Sequence, residues 1–146
     1  MKLENQFCFA VYACAREITK LYHPLLKDLN LTYTQYITLL ALWERDAVTV
    51  KELGERLYLD SGTLTPLLKK LEAAGHLTRT RDPVDERSVR IVLTEQGRAL
   101  KAKACTIPER LYLQSGMSVE QLEAIRSQMT DMLARIHRAG DSQPSA

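Results

Sequence analysis

The fold is decided by residues 49–93, which read TVKELGERLYLDSGTLTPLLKKLEAAGHLTRTRDPVDERSVRIVL. The opening residues predict a short helix over 49–57, because Thr49 is a good N-cap and Glu52, three residues later, completes a capping box. A second helix is predicted over 61–74, since four leucines recur there at helical spacing. Its N-cap is left open among three residues, Asp60, Ser61 and Thr65.

The end of this second helix and the pattern after it predict a β-hairpin. Gly75 supplies the left-handed stop of the helix. Pro66 is expected within the first turn, because deeper in the helix it would cost about 3 kcal/mol. Residues 77–81 and 88–93 then alternate polar and apolar side chains around a charged, turn-like segment, 82–86. Helices followed by a hairpin in this order are typical of the winged helix-turn-helix unit.

Four further helices are predicted along the chain, two before this stretch and two after it. Thr32 or Thr34 can cap the second of them. Pro24 ends or breaks the first, and Ile107-Pro108 marks a bend or a break after the third. Their approximate ranges are 4–22, 34–45, 94–104 and 118–137.

This order predicts a mainly α protein with a small β-hairpin, namely a winged helix-turn-helix with dimerisation helices at both ends. Dimerisation is inferred because the terminal helices carry apolar side chains that need a partner: Leu111, Leu122, Ile125, Met129, Leu133 and Ile136. The expected divisions are a dimerisation and thiol-sensor helix at 1–30, a DNA-binding domain at 31–98, dimerisation helices at 99–138 and a disordered polar tail at 139–146.

Composition and charge agree with one globular protein that binds nucleic acid. Of the 146 residues, 45% are hydrophobic and 26% are charged, which is ordinary for a folded domain. The net charge is only +2, but residues 69–103 carry 9 Lys and Arg against 5 Asp and Glu, while both flanks are slightly acidic. Such a local concentration favours phosphate binding, because contacts made there release condensed counterions.

The sequence gives no reason to expect a membrane partner or a disulfide scaffold. No apolar run reaches the about 20 residues that a membrane span needs. Three scattered cysteines fit a reduced compartment. The apolar run 7–14 barely reaches the length of a signal peptide and follows three polar residues, so secretion is not favoured. The protein is therefore expected in the cytoplasm.

The DNA-reading elements are the second helix of the unit and the hairpin. A recognition helix presents its N-terminal residues to base edges in the major groove. At the hairpin tip, Arg87 suits insertion into a narrow, electronegative minor groove, and Asp85 can hold its guanidinium by a salt bridge. Helix capping and a solvated turn are the plainer interpretations of these features. The remaining candidate DNA contacts are Ser61, Thr63, Thr65, Lys69, Lys70, Arg79, Arg81 and Arg90.

Four segments of the chain resemble the MarR family of regulators, and the resemblance extends over nearly the whole chain. It implies a homodimer whose wings straddle a palindromic operator in double-stranded DNA near the gene that it represses. It also implies that Arg87 of each wing enters the minor groove. The segments are Leu53–Leu57, Asp60–Glu72, Asp85–Val89 and Leu93–Gly97.

Within that family the N-terminus resembles the organic-hydroperoxide-resistance regulators. The resemblance is carried by Cys8 with Tyr12 and Tyr22, by the segment NQFCFAVYA at 5–13, and by Leu42-Trp43-Glu44. It implies that Cys8 is oxidised by an organic hydroperoxide and that its sulfur is hydrogen-bonded to tyrosines of the other subunit.

The chemistry of peroxide sensing agrees with this arrangement. A thiolate, not a thiol, attacks a peroxide, and phenol hydroxyls stabilise the sulfur anion. On one helix Tyr12 lies a turn from Cys8, whereas Tyr22 falls roughly 21 Å along the axis, so only an antiparallel partner helix can bring it to Cys8. Oxidation to sulfenic acid is then expected to shift the subunits and release the operator.

The fate of oxidised Cys8 is open among attack by Cys105, a mixed disulfide with a small cellular thiol, and over-oxidation. Two-cysteine members of the branch place their second cysteine about where Leu113 stands here. Cys105 is therefore better interpreted as a buried or idle helix cysteine, and Cys14 as a packing residue.

Three other functions fit parts of the pattern. A MarR-type repressor released by a small phenolic or lipid ligand shares every DNA-reading residue and differs only in the role of Cys8. A peroxidase is disfavoured because the chain has no Cys-x-x-Cys and no strand–helix alternation. A metal-sensing repressor would use Cys8, Cys14 and His23, whose spacing matches no standard zinc pattern. No catalytic residue, metal or cofactor is therefore expected.

Overall fold

The computed structural model describes residues 2–141. The chain forms two compact units, one ending at Pro108 and the other beginning at Glu109. After a short 3-10 turn at Leu3–Asn5, the elements in chain order are α1 (Phe7–Lys27), α2 (Tyr33–Glu44), β1 (Val48–Thr49), α3 (Val50–Leu57), α4 (Ser61–Ala73), β2 (Leu77–Arg81), β3 (Val89–Leu93), α5 (Glu95–Ala104), α6 (Ile107–Ser115) and α7 (Val119–Asp141).

The predicted winged helix-turn-helix is confirmed as α2, α3 and α4 followed by the β2–β3 hairpin. Two capping boxes fix the starts of α2 and α3, each with its threonine accepting a backbone N–H and a Gln or Glu side chain reaching back. The cap of α2 is Thr32 rather than Thr34, and the cap of α3 is Thr49, as the sequence predicted.

The sheet has one strand more than the sequence predicted. β1 pairs antiparallel with β3 through Val48 opposite Ile91, so the strand order is β1-β3-β2. β1 has only two residues, too few for an alternating pattern to be recognised. Its consequence is that the loop before α3 lies beside the base of the hairpin.

The core of the first unit lies between α2, α3, α4 and the sheet. On α2, Leu39 and Leu42 are buried, whereas Leu40 is exposed. The side chains that are fully buried include Leu26, Leu39, Leu42, Leu53, Leu64, Leu68, Leu71, Leu77 and Ile91. Burial of this many aliphatic side chains is the main favourable term that holds α4 against the β2–β3 hairpin.

Pro24 and Pro66 both lie deeper inside their helices than the sequence predicted. Pro24 does not end α1, because Leu25 and Leu26 directly after it are buried in the core and continue the helix. Pro66 lies in the second turn of α4 rather than in the first, where its missing N–H removes the bond to the carbonyl of Gly62. In both cases burial of neighbouring leucines outweighs the lost hydrogen bond.

The C-terminal unit contains the rest of α6 and the long α7. Ser118 caps α7, since its Oγ accepts the N–H of Gln121 at 3.2 Å. The helix continues to Asp141, so residues 139–141, which were expected to belong to a disordered tail, are helical. Residues 142–146 of that expected tail lie outside the described residues. α7 carries an exposed apolar face made of Ile125, Met129, Leu133 and Ile136.

Between residues 2 and 141, none of the helices combines the length and the apolar character that crossing a membrane requires.

Candidate DNA interface and thiol site

The start of α4 is organised by Asp60, which is its N-cap. Its Oδ1 accepts the backbone N–H of Thr63 at 2.7 Å, and its Oδ2 accepts the Thr63 hydroxyl at 3.2 Å. These bonds, the backbone one first, hold the pKa of Asp60 below its ordinary value. The cap left open by the sequence is therefore Asp60, and the hydroxyl of Thr63 is already oriented by its own helix.

The other candidate DNA contacts on α4 lie at or near the surface. Ser61 is exposed at the first position of the helix, Thr65 is half-buried, and Lys69 and Lys70 are exposed further along. Lys70 and Thr63 also line a small groove between α4 and the start of α2.

The wing tip presents Arg87 to solvent, but not in the way the sequence suggested. Asp85 was expected to hold the Arg87 guanidinium. Its Oδ1 instead accepts the backbone N–H of Arg87 at 3.0 Å, and its Oδ2 accepts the Ser88 hydroxyl at 3.1 Å. Asp85 therefore shapes the turn from which the Arg87 side chain projects. A carboxylate two residues away more easily reaches a backbone donor, as in an Asx turn, than a long side chain.

Two of the three arginines expected to touch phosphates are engaged within the protein. Arg79 Nε donates to Glu72 Oε2 at 2.9 Å, which joins the wing to the end of α4 and holds the pKa of Glu72 below its ordinary value. Arg90 forms an ion pair with the buried carboxylate of Asp82. Only Arg81 is exposed.

Two acidic partners of these arginines, Glu72 and Asp82, were not recognised from the sequence. Their hydrogen bonds to Arg79 and Arg90 span seven and eight residues of chain, and no periodic pattern signals them. Asp60, by contrast, was among the three N-cap candidates, because aspartate before a helix is a strong N-cap.

The thiol site lies near the start of α1, on a part of the helix that the chain itself leaves bare. Cys8 is the second residue of α1 and is exposed. Tyr12 is exposed by 58% and Phe7 by 65%, and the guanidinium of Arg16 lies 5.6 Å from the centroid of the Tyr12 ring. The same side of α1, from Tyr12 to Pro24, lines an open groove of about 590 Å³.

Tyr22 lies on the same helix but belongs to an aromatic cluster with α2. Its ring centroid is 4.8 Å from that of Tyr33 and 5.8 Å from that of Tyr36. Burial, with smaller contributions from the two neighbouring phenols, raises the pKa of Tyr22 to about 12. At neutral pH this phenol is therefore a hydrogen-bond donor. Fourteen residues separate it from Cys8, which at 1.5 Å per residue is about 21 Å of helix, so one chain does not bring the two together.

The other two cysteines are exposed, so Cys14, expected to be a packing residue, packs against nothing in the described chain, and of the two interpretations of Cys105, buried or idle, the buried one is wrong. Cys14 lies on the bare part of α1, and the reason for its exposure is that no element of the described chain covers that face. The thiol of Cys105 donates to the carbonyl of Ala102 at 3.0 Å. Over residues 2–141 there is no group of three or more His, Cys, Asp or Glu that could hold a metal ion.

Comparisons with known proteins give one family and several relatives. Residues 20–104 match the family model described as the transcriptional regulator SarA/Rot. The chain is 54% identical to the organic hydroperoxide resistance transcriptional regulator of Bacillus subtilis, with 94% of each chain covered.

Among solved structures, the chain resembles AbfR of Staphylococcus epidermidis in two DNA complexes. The reduced protein bound to DNA has 33% identity and a TM-score of 0.74, with 92% of this chain and 94% of that chain covered. The overoxidised protein bound to DNA has 34% identity, the same TM-score of 0.74 and the same coverage, 92% and 94%.

Proposed function

Because the chain belongs to the MarR and SarA/Rot transcriptional regulators, in the organic-hydroperoxide-resistance branch, we propose that it is a DNA-binding repressor that releases its operator when Cys8 is oxidised. The observation that carries the proposal is an exposed Cys8 at the uncovered end of a helix whose other end is buried in the DNA-binding unit. The members of this family are regulators rather than enzymes, so the peroxidase alternative has no support.

The DNA-binding half of the proposal rests on the geometry of α4 and the wing. α4 presents Ser61, Thr63 and Thr65 at its N-terminal end, which enters the major groove, while Lys69, Lys70 and Arg81 lie near phosphates. Arg87 projects from the wing into the minor groove. Arg79 and Arg90 support the interface from within the protein, because their guanidinium groups are held by Glu72 and Asp82. The target is a palindrome, since two copies of the reading unit are needed.

The second copy is required by the apolar surface that one chain leaves exposed. α1 and α7 carry large apolar side chains that are 40–65% accessible in one chain, among them Phe7, Tyr12 and Ile136. A homodimer built on residues 1–30 and 99–138 removes this surface from water. An antiparallel pairing of the two α1 helices also brings Tyr22 of the partner subunit to Cys8, with its phenol protonated and able to donate.

Oxidation of Cys8 consumes one hydroperoxide and yields one alcohol. The Cys8 thiolate attacks one peroxide oxygen, the O–O bond breaks, and the other oxygen leaves as the alcohol after taking a proton. Cys8 becomes a sulfenic acid and the hydroperoxide is reduced. A small cellular thiol then condenses with the sulfenic acid, which forms a mixed disulfide and releases water. The thiol of Cys105 is a secondary candidate for the group that attacks the sulfenic acid.

Release follows because the oxidised sulfur no longer accepts the phenol hydrogen bonds in the same geometry. The two reading heads then lose the spacing that fits the operator. A change of about 3 kcal/mol in the DNA-competent state lowers the affinity more than a hundredfold, because each 1.4 kcal/mol is tenfold. The proposal places the protein in the cytoplasm, where both the operator and the reducing thiols are found.

The test compares Cys8→Ser with the matched control Cys14→Ser, an exposed cysteine on the same helix. DNA release is measured by fluorescence anisotropy after one equivalent of cumene hydroperoxide, with and without a small thiol. With the small thiol present, the wild type and Cys14→Ser should lose the operator, whereas Cys8→Ser should stay bound. Tyr22→Phe should slow the oxidation of Cys8, because it removes a phenol donor. A Cys8→Ser protein that leaves DNA like the wild type would refute the proposal.

The same experiment must separate the oxidation products. AbfR was found on DNA in its overoxidised form, so release is expected from the mixed disulfide and not from over-oxidised Cys8. Mass spectrometry of Cys8 at each time point assigns the product.

A ligand-released repressor is the second candidate function, and the open groove along α1 is the observation that favours it. In that case a phenolic or lipid ligand displaces the protein from DNA in wild type and Cys8→Ser alike, and hydroperoxide has no effect on either.

A further inference from the structure

The wing of this protein is built around a buried carboxylate, Asp82. Its Oδ1 accepts the backbone N–H of Val84 at 2.8 Å and that of Asp85 at 3.3 Å. The N–H of Asp82 itself donates to the carbonyl of Ser88 at 2.8 Å, which closes the loop. Asp82 is 4% exposed, although it lies at the first position of a surface loop. Each of these hydrogen bonds that shape the wing tip thus has Asp82 or Asp85 as one of its partners.

Arg90 links this carboxylate to the loop before α3. Its Nε donates to Asp82 Oδ2 at 3.0 Å, and a second guanidinium nitrogen bonds the same oxygen. Its third nitrogen donates to the carbonyl of Ala47, 43 residues earlier in the chain. Ala47 has a φ of +58°, a left-handed conformation that alanine adopts only at a cost.

The loop that carries Ala47 is itself attached to the helical body. Asp46 Oδ1 accepts the N–H of Leu93 at 2.9 Å, and its Oδ2 pairs with Arg98 of α5 at 2.8 Å. Hydrogen bonds therefore run without interruption from α5 to the tip of the wing. Backbone hydrogen bonds, the first of them from Val84, and the Arg90 guanidinium hold the pKa of Asp82 below its ordinary value, so the carboxylate stays charged at neutral pH.

We propose that Asp82 and Arg90 are positioning residues for DNA recognition, and that Arg90 acts on DNA through Asp82 and Ala47 rather than by contacting a phosphate. This proposal rests on the proposed function, because it assigns roles within the same DNA interface. The pair holds the wing at a fixed angle to α4 and α5, so that Arg87 enters the minor groove while α4 lies in the major groove.

A positioning role and a charge role predict opposite results for one substitution. Asp82→Asn removes a negative charge from a surface that faces a polyanion, so electrostatics alone predicts tighter binding. Loss of the Arg90 pair instead frees the wing and predicts weaker binding to the operator. Glu86→Gln is the matched control, because Glu86 is an exposed carboxylate of the same loop. It should bind as tightly as the wild type or more tightly.

Arg90 offers a second, independent comparison. The ammonium group of a lysine keeps the positive charge that a phosphate contact needs, but it lacks the several guanidinium nitrogens that bond Asp82 and Ala47 at the same time. Arg90→Lys should therefore bind DNA about as weakly as Arg90→Gln. The slope of log K against log salt should be unchanged in both, since removing a phosphate contact would lower its magnitude by about 0.9.

The measurement is fluorescence anisotropy over a series of salt concentrations, with two probes. One is a palindromic duplex of about 30 base pairs, selected by the wild-type protein from a random library, which spans two half-sites and their flanks. The other is poly(dI-dC). Asp82→Asn should lose roughly tenfold or more on the palindrome and lose nothing on poly(dI-dC). The double variant Asp82→Asn/Arg90→Gln should bind no more weakly than the weaker single variant.

Several outcomes would overturn the inference: a palindrome affinity of Asp82→Asn at or above that of the wild type, an Arg90→Lys protein that binds like the wild type, or a salt slope that falls by about one unit in Arg90→Gln. If Asp82→Asn does not fold by circular dichroism, Arg90→Lys decides alone. A wild-type protein that selects no duplex would instead refute the proposed function itself, and the inference with it.

Discussion

Gly97, the third residue of α5, is where an added methyl group should destabilise the fold most directly. A Cβ at this position would lie 1.9 Å from the carbonyl oxygen of His76, a backbone atom that cannot rotate away. Ordinary contact begins at about 3.4 Å, so α5 must move by about 1.5 Å. That carbonyl also accepts the N–H of Thr94 at 3.1 Å, and the carbonyl of Gly97 accepts Trp43 Nε1 at 2.8 Å.

The expected cost of Gly97→Ala follows from these contacts. Overpacking costs about 1–3 kcal/mol, and weakening two hydrogen bonds costs about 1 kcal/mol each. Better helix propensity returns about 1 kcal/mol. The net loss is about 3 kcal/mol, which at a urea dependence of about 2 kcal/mol per molar lowers the unfolding midpoint by about 1.5 M.

Urea unfolding followed by fluorescence tests this value, because Trp43 is the single tryptophan of the chain and its indole bonds Gly97 directly. The protein concentration must be held constant, since dimerisation contributes to stability. Gly140→Ala is the control, because nothing lies within 4 Å of the added Cβ, and it should not lower the midpoint. An unchanged midpoint and emission spectrum for Gly97→Ala would refute the packing argument.

Two further predictions concern the pH dependence of stability and the role of Arg87 in DNA binding. Burial lowers the pKa of His76, so the unfolded chain takes up a proton first, and the free energy of unfolding should fall as the pH drops below about 6.5. In His76→Leu this fall should be smaller in urea titrations at several pH values, and an equal fall would contradict it. Arg87→Ala should weaken operator binding roughly tenfold or more without changing the rate of Cys8 oxidation. Unchanged affinity would remove Arg87 from the interface.

Local signals were sufficient for α2 to α5 and for the hairpin. Thr49 with Glu52, Thr94 before α5 and Gly75 after α4 are caps and stops whose chemistry is contained within four residues of sequence. Such signals are independent of the rest of the chain, which is why these boundaries were predicted closely.

The errors have a common physical origin in contacts between distant residues. Arg90 was predicted to face a phosphate because its partners, Asp82 and Ala47, are 8 and 43 residues away. Pro24 was predicted to end α1 because the burial of Leu25 and Leu26 is not visible in a local pattern. The helix propensity of a local sequence is only a weak guide to its structure, because tertiary packing can override it.

Because α1 is one continuous helix, its exposed N-terminal end, which carries Cys8, is held in place within the described residues of one chain only through its buried C-terminal end. The helix is clamped at Leu25 and Leu26, while Cys8 lies 17 residues away, or about 25 Å at 1.5 Å per residue. At that length a tilt of roughly 1° displaces the sulfur by about 0.5 Å, which is comparable with the whole tolerance of a hydrogen bond. A small rotation of the buried end of α1 is therefore coupled to a much larger displacement of the Cys8 sulfur, and a displacement of the sulfur is coupled to a small rotation of the buried end.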